Sequence, residues 1–347
     1  MITLLFILAI LFIVMSFIPL IRNDYWTFRI FEYPRMQKLI VCILLLISLI
    51  IWADQTIFYY SVVVGLAITI LYLLYQIFPF TPLARKHVLK VQKNDPKNSL
   101  SIFVSNVFED NTNYAGCLAE IKKTDADIVL LLETNERWAE ALKELDTLYP
   151  EQVKEPLNNT YGMLFFSKLP LKNSEVKYLV EDDIPSIHTQ VMLPSGQLVQ
   201  IYALHPTPPV PNENPRSTER DKELLLVADL AKDHRYPVIV CGDMNDVAWS
   251  YTTELFLKMS KLLDPRRGRG FINTFHAHYP LMRFPLDHIF VSDDFKLKHF
   301  QRKHNFDSDH FPIYTELQYE ARASKEQEGL VASEEDKEMA EHKKNKS

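Results

Sequence analysis

Glycine is scarce in this chain, at 8 of 347 residues. That leaves little room for a glycine-rich loop whose backbone amides cradle a nucleotide phosphate, and no such loop is found. Cysteine is scarcer still: Cys42, Cys117 and Cys241 lie far apart, the first inside an apolar run. Three scattered thiols suggest neither a disulfide framework nor a zinc cluster, and they fit a reducing compartment. A basic excess is also missing. The formal charge is −6, and residues 1–93 hold eight Lys+Arg against three Asp+Glu, residues 320–347 six against eight, which leaves residues 94–319 at −9. Capture of polyanionic nucleic acid normally draws on basic surface. The balance therefore speaks against a non-specific nuclease, though acidic metal sites contribute negative charge of their own.

Charge is absent from most of the first 80 residues. Three apolar stretches, 2–21, 38–53 and 57–80, lack the polar face of a buried soluble helix. The first and third reach the roughly 20 residues that cross a bilayer core, and the second is slightly short. The first also lacks the basic start and small-residue cleavage site of a signal peptide. The reading is three transmembrane helices anchoring the chain in the lipid bilayer. Arg22, Arg29, Arg35 and Lys38 lie between the first two spans, and Arg85, Lys86, Lys90 and Lys93 follow the third, whereas the ADQT turn at 53–56 has no basic residue. Basic flanks stay inside, so the expected location is the cytoplasmic (inner) membrane, multi-pass, with the C-terminal part on the cytoplasmic face. Tyr25, Trp26, Trp52, Tyr59 and Tyr60 sit where interfacial aromatic residues belong.

After a polar, proline-containing linker at 81–98, the pattern changes to short apolar strands alternating with amphipathic helices. SLSIFVSNV, ADIVLLLET, YGMLFFS, VIVCGDMN, LDHIFVS and HFPIYTELQYE read as strands, and HTQVMLPSGQLVQIYALH as a hairpin turning at Pro-Ser-Gly. NYAGCLAEIKKT, ERWAEALKEL, TERDKELLLVADLAKD and TTELFLKMSKLL read as helices. The resulting unit, residues 99–319, is about 220 residues, enough for one core. Hairpins mixed with helical crossovers exclude a purely parallel sheet. Residues 320–347 are charged and poor in apolar side chains, which predicts a disordered tail.

Strand after strand ends in a residue fit for metal or phosphate chemistry. Asn106, Glu133, His205, and Asp243 with Asn245 follow apolar runs; Asp287 opens one, and Asp309-His310 precede the last. Strands sharing a sheet bring such ends together, so these residues are candidates for one cleft. Each also has an innocent reading: a turn or cap for Asn106, a helix start for Glu133, a satisfied edge histidine for His205, and capping for Asp309-His310. As a set they have oxygen donors, few histidines and no paired thiolates, which suits Mg²⁺ or Mn²⁺ rather than zinc. Asp243 and Asn245 flank Met244, so on extended backbone both side chains leave on one side.

With these residues in hand, the sequence resembles the endonuclease/exonuclease/phosphatase superfamily, the DNase-I-like fold, and in its anchor a bacterial membrane-bound group of it. NV at 106–107, LLET at 131–134, YGMLFFS at 161–167, LHP at 204–206, GDMN at 242–245, LDHIFVS at 286–292 and SDHFPI at 308–313 stand in the family's order. The resemblance implies an α/β fold, a four-layer α/β sandwich with two central mixed β-sheets flanked by helices. It also implies a Mg²⁺-dependent phosphoester hydrolase, a phosphodiesterase or phosphatase using metal-assisted water attack. Carried over by position, Glu133, Asn106 and Asp309 belong to the metal, Asp243 orients or deprotonates the water, and Asn245 and His205 hold phosphate. His310 contacts the phosphate and is oriented by Asp287. Arg216 and Arg220 are candidates for binding the substrate anion, or else a solvated helix start.

The chain also departs from the pattern. A glutamate that partners the His205 position in the DNase-like branch has no counterpart around Tyr161, Gly162 and Met163, and the tyrosine of the abasic-site repair branch is absent. The substrate, whether lipid headgroup, inositol phosphate or nucleic acid, is therefore left open. A nuclease and a catalytically dead membrane-tethered scaffold remain the alternatives.

Overall fold

The structure is a computed structural model that describes residues 2–346. Its N-terminal part holds α1 (Ile2–Phe17), a short α2 (Trp26–Arg29), α3 (Arg35–Trp52) and α4 (Ile57–Ile77). Three segments, Ile2–Ile21, Arg35–Trp52 and Ile57–Phe80, are long and apolar enough to cross a membrane, with mean hydropathies of 3.1, 2.0 and 2.2. They pack on one another through Ala9, Cys42, Leu49, Leu66 and Leu73 and turn leucines and isoleucines outward.

The remainder forms two sheets. The strands are β1 (Ser99–Asn106), β2 (Ile128–Leu132), β3 (Glu151–Glu155), β4 (Met163–Ser167), β5 (Leu171–Lys177), β6 (Ser186–Met192), β7 (Leu198–Leu204), β8 (Val238–Asp243), β9 (Asp287–Val291), β10 (Phe295–Arg302) and β11 (Ile313–Tyr319). The first sheet runs β10-β11-β1-β2-β4-β3 and the second β5-β6-β7-β8-β9. Only β1–β2 and β7–β8 are parallel.

The central strands are apolar on both faces, so each sheet must be covered twice. Ile102, Val104, Leu130 and Leu132 of one sheet meet Ile201, Ala203, Ile239 and Cys241 of the other in the main core. The outer face of the first sheet, with Phe103, Val129 and Leu131, is covered by α5 (Tyr114–Thr124), α6 (Glu136–Ala141) and α7 (Leu145–Leu148). That of the second, with Tyr202, Val240 and Phe290, lies under α8 (Thr218–Lys232) and α9 (Tyr251–Ser260). This is the expected four-layer sandwich.

Three strands do not stand out in the sequence. β3 and β5 are edge strands rich in Lys and Glu, which blunts edge pairing and also hides the apolar alternation. β10, at the other edge, breaks its alternation with a register shift between Leu297 and His299. Two segments also differ from their expected character. The 81–98 linker is packed: Val88 is fully buried in the main core, and Leu89 and Val91 exchange backbone hydrogen bonds with Leu297. The 320–347 segment, expected to be disordered, ends in α10 (Glu334–Asn345), opened by a Ser333/Asp336 capping box. Its outward charges are solvated, but the lysines of its last turn are paired. Lys343 Nζ reaches Asp24 at 2.8 Å and Asp221 at 2.7 Å, and Lys344 reaches Asp229 at 2.5 Å.

The loop between α1 and α3 docks on the sandwich. Trp26 N–H donates to the Pro215 carbonyl, Ser217 N–H to that of Asp24, and the indole of Trp249 to that of Glu32. Arg29, 3 % exposed, donates to Asp221 at 2.8 Å. The loop between α1 and α3, the sandwich and the C-terminal helix thus share one buried ionic cluster.

Glu223 on α8 is 2 % exposed, and its Oε1 has no partner among the described residues. Burial, with Glu181 adding to it, pushes its pKa up to about 8. Between its unfolded value and about 8 the folded state holds a proton that the unfolded state releases, so stability falls as pH rises through this window. At about 1.4 kcal/mol per unit, the cost at pH 8 is on the order of a few kcal/mol. Glu223→Gln should raise the melting temperature of the full chain in detergent, by more at pH 8 than at pH 5.

Candidate active site

The two parallel pairs decide where the polar strand ends go. β1 and β2 finish together, Asn106 opposite Leu132, so Glu133 follows beside Asn106. β7 and β8 likewise finish together, Leu204 opposite Gly242, and β9 then sets Asp287 across from Asp243. At Gly242 (φ +141°) a Cβ would lie 1.9 Å from the Leu204 carbonyl oxygen, so only glycine allows the strands to close just before Asp243. Glu133 (φ +58°) and Asn245 (φ +48°) stand in the left-handed region, a strained setting for side chains other than glycine.

Eight predicted residues meet at this edge. Asn106 Nδ2 donates to Glu133 at 2.6 Å and to Asp243 Oδ2 at 3.2 Å. The same Asp243 oxygen lies 3.5 Å from His310 Nε2 and 4.0 Å from His205 Nε2. His310 Nδ1 is 2.8 Å from Asp287. Asn245 donates its backbone N–H to Asp243 Oδ1 at 2.9 Å and its side-chain amide to the Pro206 carbonyl at 2.9 Å. Asp309 stands beside Glu133 and His310, its Oδ1 without a partner among the described residues.

Burial sharpens the charges. It would raise the Asp243 carboxyl, but His310, then His205, outweigh it and the pKa is lowered. Burial would strip the proton from His310, yet Asp287 and then Asp243 hold its pKa up to about 10, so the imidazole is a cation at neutral pH. Burial lowers His205 to about 4, leaving it neutral. Burial also lifts Glu133 to about 7, with Asp309 and Asp243 adding repulsion against the Asn106 hydrogen bond. Asp243, Asp287 and His310 have ligand atoms within 4.8 Å of one another. Both imidazole nitrogens face carboxylates, however, Nδ1 hydrogen-bonded to Asp287 and Nε2 ion-paired with Asp243. The trio is thus a relay of paired charges in which no imidazole nitrogen is left free.

Arg216 and Arg220 do not join this group, which corrects their candidacy for the substrate anion. Arg220 is 1 % exposed and points inward, to Asp221 at 2.9 Å, Asp246 at 3.3 Å and the Asn245 carbonyl at 2.7 Å. Arg216 is exposed and lies over the ring of Tyr25 on the docked loop, 5.8 Å from its centroid. Helix amphipathicity cannot separate an arginine that faces a ligand from one that ties down a loop.

Four supporting residues have no role assigned from the sequence. Tyr33 donates its hydroxyl to the same Asn245 carbonyl at 2.9 Å. Ser308 accepts from His310 N–H and donates to the Asn106 carbonyl. Arg283 and Arg302 stack on Phe311, next to His310, at 4.9 and 4.0 Å from the ring centroid. The SDHFPI motif pointed at Ser308, but nothing in the sequence points at Tyr33. Thr274 is buried and accepts from the N–H groups of Leu286 and Asp287. Where a carboxylate would partner His205, the Tyr161 ring stands 5.2 Å away, its hydroxyl turned to Glu213.

The model of the Endonuclease/Exonuclease/phosphatase family matches residues 104–310, more than half of the chain. The chain belongs to this family. Membership makes it an enzyme of phosphoester hydrolysis. Solved structures of the family share its sandwich. D. rerio TDP2 in complex with a single-stranded DNA product is 20 % identical over 63 % of this chain and 99 % of its own, with a TM-score of 0.53. A family member from Bacteroides vulgatus is 19 % identical over 65 % and 100 %, at 0.53. The mannosyl-6-phosphatase of Bacteroides thetaiotaomicron is 17 % identical over 63 % and 100 %, at 0.52. At these identities the likeness is one of fold. No curated protein matches the sequence.

Proposed function

We propose that this family member is a membrane-anchored, divalent-metal-dependent phosphoester hydrolase whose active site is the Asp243–His310 edge. The observation that carries the reading is the imidazolium of His310, held between Asp287 and Asp243 beside an acidic group made by Glu133 and Asp309. Residues 99–319 form the catalytic unit and residues 1–80 the anchor.

The donor set fits a hard cation. Glu133 and Asp309 offer carboxylate oxygens, and one Asp309 oxygen stands without a partner among the described residues. Burial, with Asp309 and Asp243 adding to it, raises Glu133, while the Asn106 amide holds Glu133 in place through its Nδ2. Mg²⁺ or Mn²⁺ held there supplies positive charge to the phosphoryl oxygens. The chain's own residues do the rest. Asp243, ionised, orients the attacking water and takes its proton. His310 donates from Nε2 to a phosphoryl oxygen, and Asp287 keeps its charge in place. Neutral His205 donates one hydrogen bond to the phosphate, and Asn245 helps position it. As the water oxygen bonds to phosphorus the ester P–O bond breaks, its leaving oxygen taking a proton from solvent to balance the one held by Asp243.

Chelation of the purified full chain should abolish hydrolysis of bis-p-nitrophenyl phosphate, and Mg²⁺ or Mn²⁺ should restore it. Glu133→Gln should raise the metal concentration for half-activity at least about tenfold. Turnover that survives exhaustive chelation removes the metal from the reading. The basic flanks at Arg22–Lys38 and Arg85–Lys93 support a cytoplasmic catalytic unit. A reporter fused after Tyr319 should read as cytoplasmic, and a periplasmic signal would reverse the topology.

A further inference from the structure

We infer that the substrate is an amphiphile, a phosphoester lipid whose hydrocarbon tail lies in an apolar groove joining the membrane spans to the active site. The inference rests on the hydrolase reading for the phosphate end and on separate observations for the tail.

The groove encloses about 600 Å³, within the usual range of ligand sites. Its walls come from four segments that sequence alone would not connect. α1 contributes Met15, near the end of the first span, and the docked loop contributes Ile30 and Phe31. The segment after His205 contributes Pro208 and Val210, and the segment before Asp287 contributes Met282. The groove adjoins the candidate site through Tyr33, and two of its wall segments lead into that site. Pro208 and Phe284, both lining it, stand three residues from His205 and Asp287. Tyr33, also in the wall, donates to the Asn245 carbonyl.

The wall carries aromatic rings, Trp26, Phe31, Tyr33 and Phe284, but a nucleic-acid channel would also place free Lys and Arg along such a path to track the backbone. Here the only charged wall residue is Arg29, and its guanidinium is turned away to Asp221, Asp24 and Ser217. The proline run is itself suited to an apolar lining: prolines offer no N–H that would need a partner. Ile30 and Met282 are about half exposed, at 50 % and 52 %, although each is large and apolar. A surface of this kind opening beside a bilayer end and closing on phosphate-binding groups fits a molecule with a polar phosphoester and an apolar tail. The bilayer supplies that chemistry at the Met15 end of the groove.

The test uses the full chain in phosphatidylglycerol nanodiscs, with a phosphatidylglycerol bearing a diazirine at the acyl terminus. Photolabel should map to the 205–216 and 276–286 segments as well as to the spans. In parallel, kcat/KM for dibutyryl, dihexanoyl and dioctanoyl phosphatidylglycerol should climb by up to roughly fourfold per buried methylene. Ile30→Asp with Met282→Asp, which buries no charge deeply, should flatten that climb and remove the label outside the spans. Val210→Trp, filling the groove without charge, should do the same. Label confined to the spans, an unchanged climb in both variants, or a dimer that shields the groove overturns the inference. Groove labelling without turnover of any phosphoester keeps the tail site and removes the hydrolase reading instead.

Discussion

Asp243→Asn is expected to lower kcat/KM for a soluble phosphodiester by at least about a thousandfold, while the far-ultraviolet spectrum and melting transition stay near wild type. The substitution keeps the shape and the acceptor that receives Asn245 N–H, so the fold loses little. The charge is what goes. Asp243 Oδ2 is approached by Asn106 Nδ2 at 3.2 Å, His310 Nε2 at 3.5 Å and His205 Nε2 at 4.0 Å. A neutral amide there neither takes a proton from water nor helps Asp287 hold His310 as a cation. General-base loss alone typically costs about 10²–10⁴-fold, and weakening the His310 donor adds to it. The effects of Asp243→Asn and His310→Gln should therefore be far from additive, since each disables the same relay. A double variant as slow as the product of the two singles would show that they act separately.

Arg220→Ala should destabilise the chain by about 3–5 kcal/mol, the cost of leaving buried charge uncompensated. The guanidinium is nearly inaccessible and holds Asp221, Asp246 and the Asn245 carbonyl at once. Asp221 retains Arg29 and Lys343. Asp246 keeps no comparable partner, and burial already lifts its pKa to about 6, against the pull of Arg220. Without the arginine it rises further. A carboxyl raised in the folded state binds a proton that the unfolded state gives up, so the defect should grow as pH rises from about 5 to 8. Arg220→Lys restores one charge but not the fork that reaches two carboxylates and a carbonyl, so it should recover only part of the loss. Thermal unfolding of the detergent-solubilised full chain at the two pH values measures this. A pH-independent loss would assign the effect to packing alone.

The strand-end residues were legible because the two parallel pairs bring the ends of successive apolar runs to one edge. Asn106, Glu133, His205 and Asp243 each follow such a run, and the motif order fixed their company. Edge strands were not legible, since β3 and β5 carry solvent-facing Lys and Glu in place of alternation. Arg220 was misread for a related reason. Its helix turns Glu223, Asp221 and Arg220 all inward, so charge on α8 does not mark the wet face. The C-terminal segment looked unstructured because its lysines find their partners far away, Asp24 and Asp221 for Lys343. Pairing at such separation leaves no local signal.

The sequence by itself determined the three long apolar helices, the sandwich class and the inventory of reactive groups, because hydropathy, alternation and motif order are local properties of the chain. Tertiary structure alone decided three things. It set the charge states of His310, His205 and Glu133, which depend on burial and on partners far away in the chain. It brought the loop between α1 and α3 against the candidate site, through Tyr33 on the Asn245 carbonyl. And it laid an apolar groove from Met15 to Phe284, because surfaces distant in sequence become one wall only when the spans and sandwich pack together.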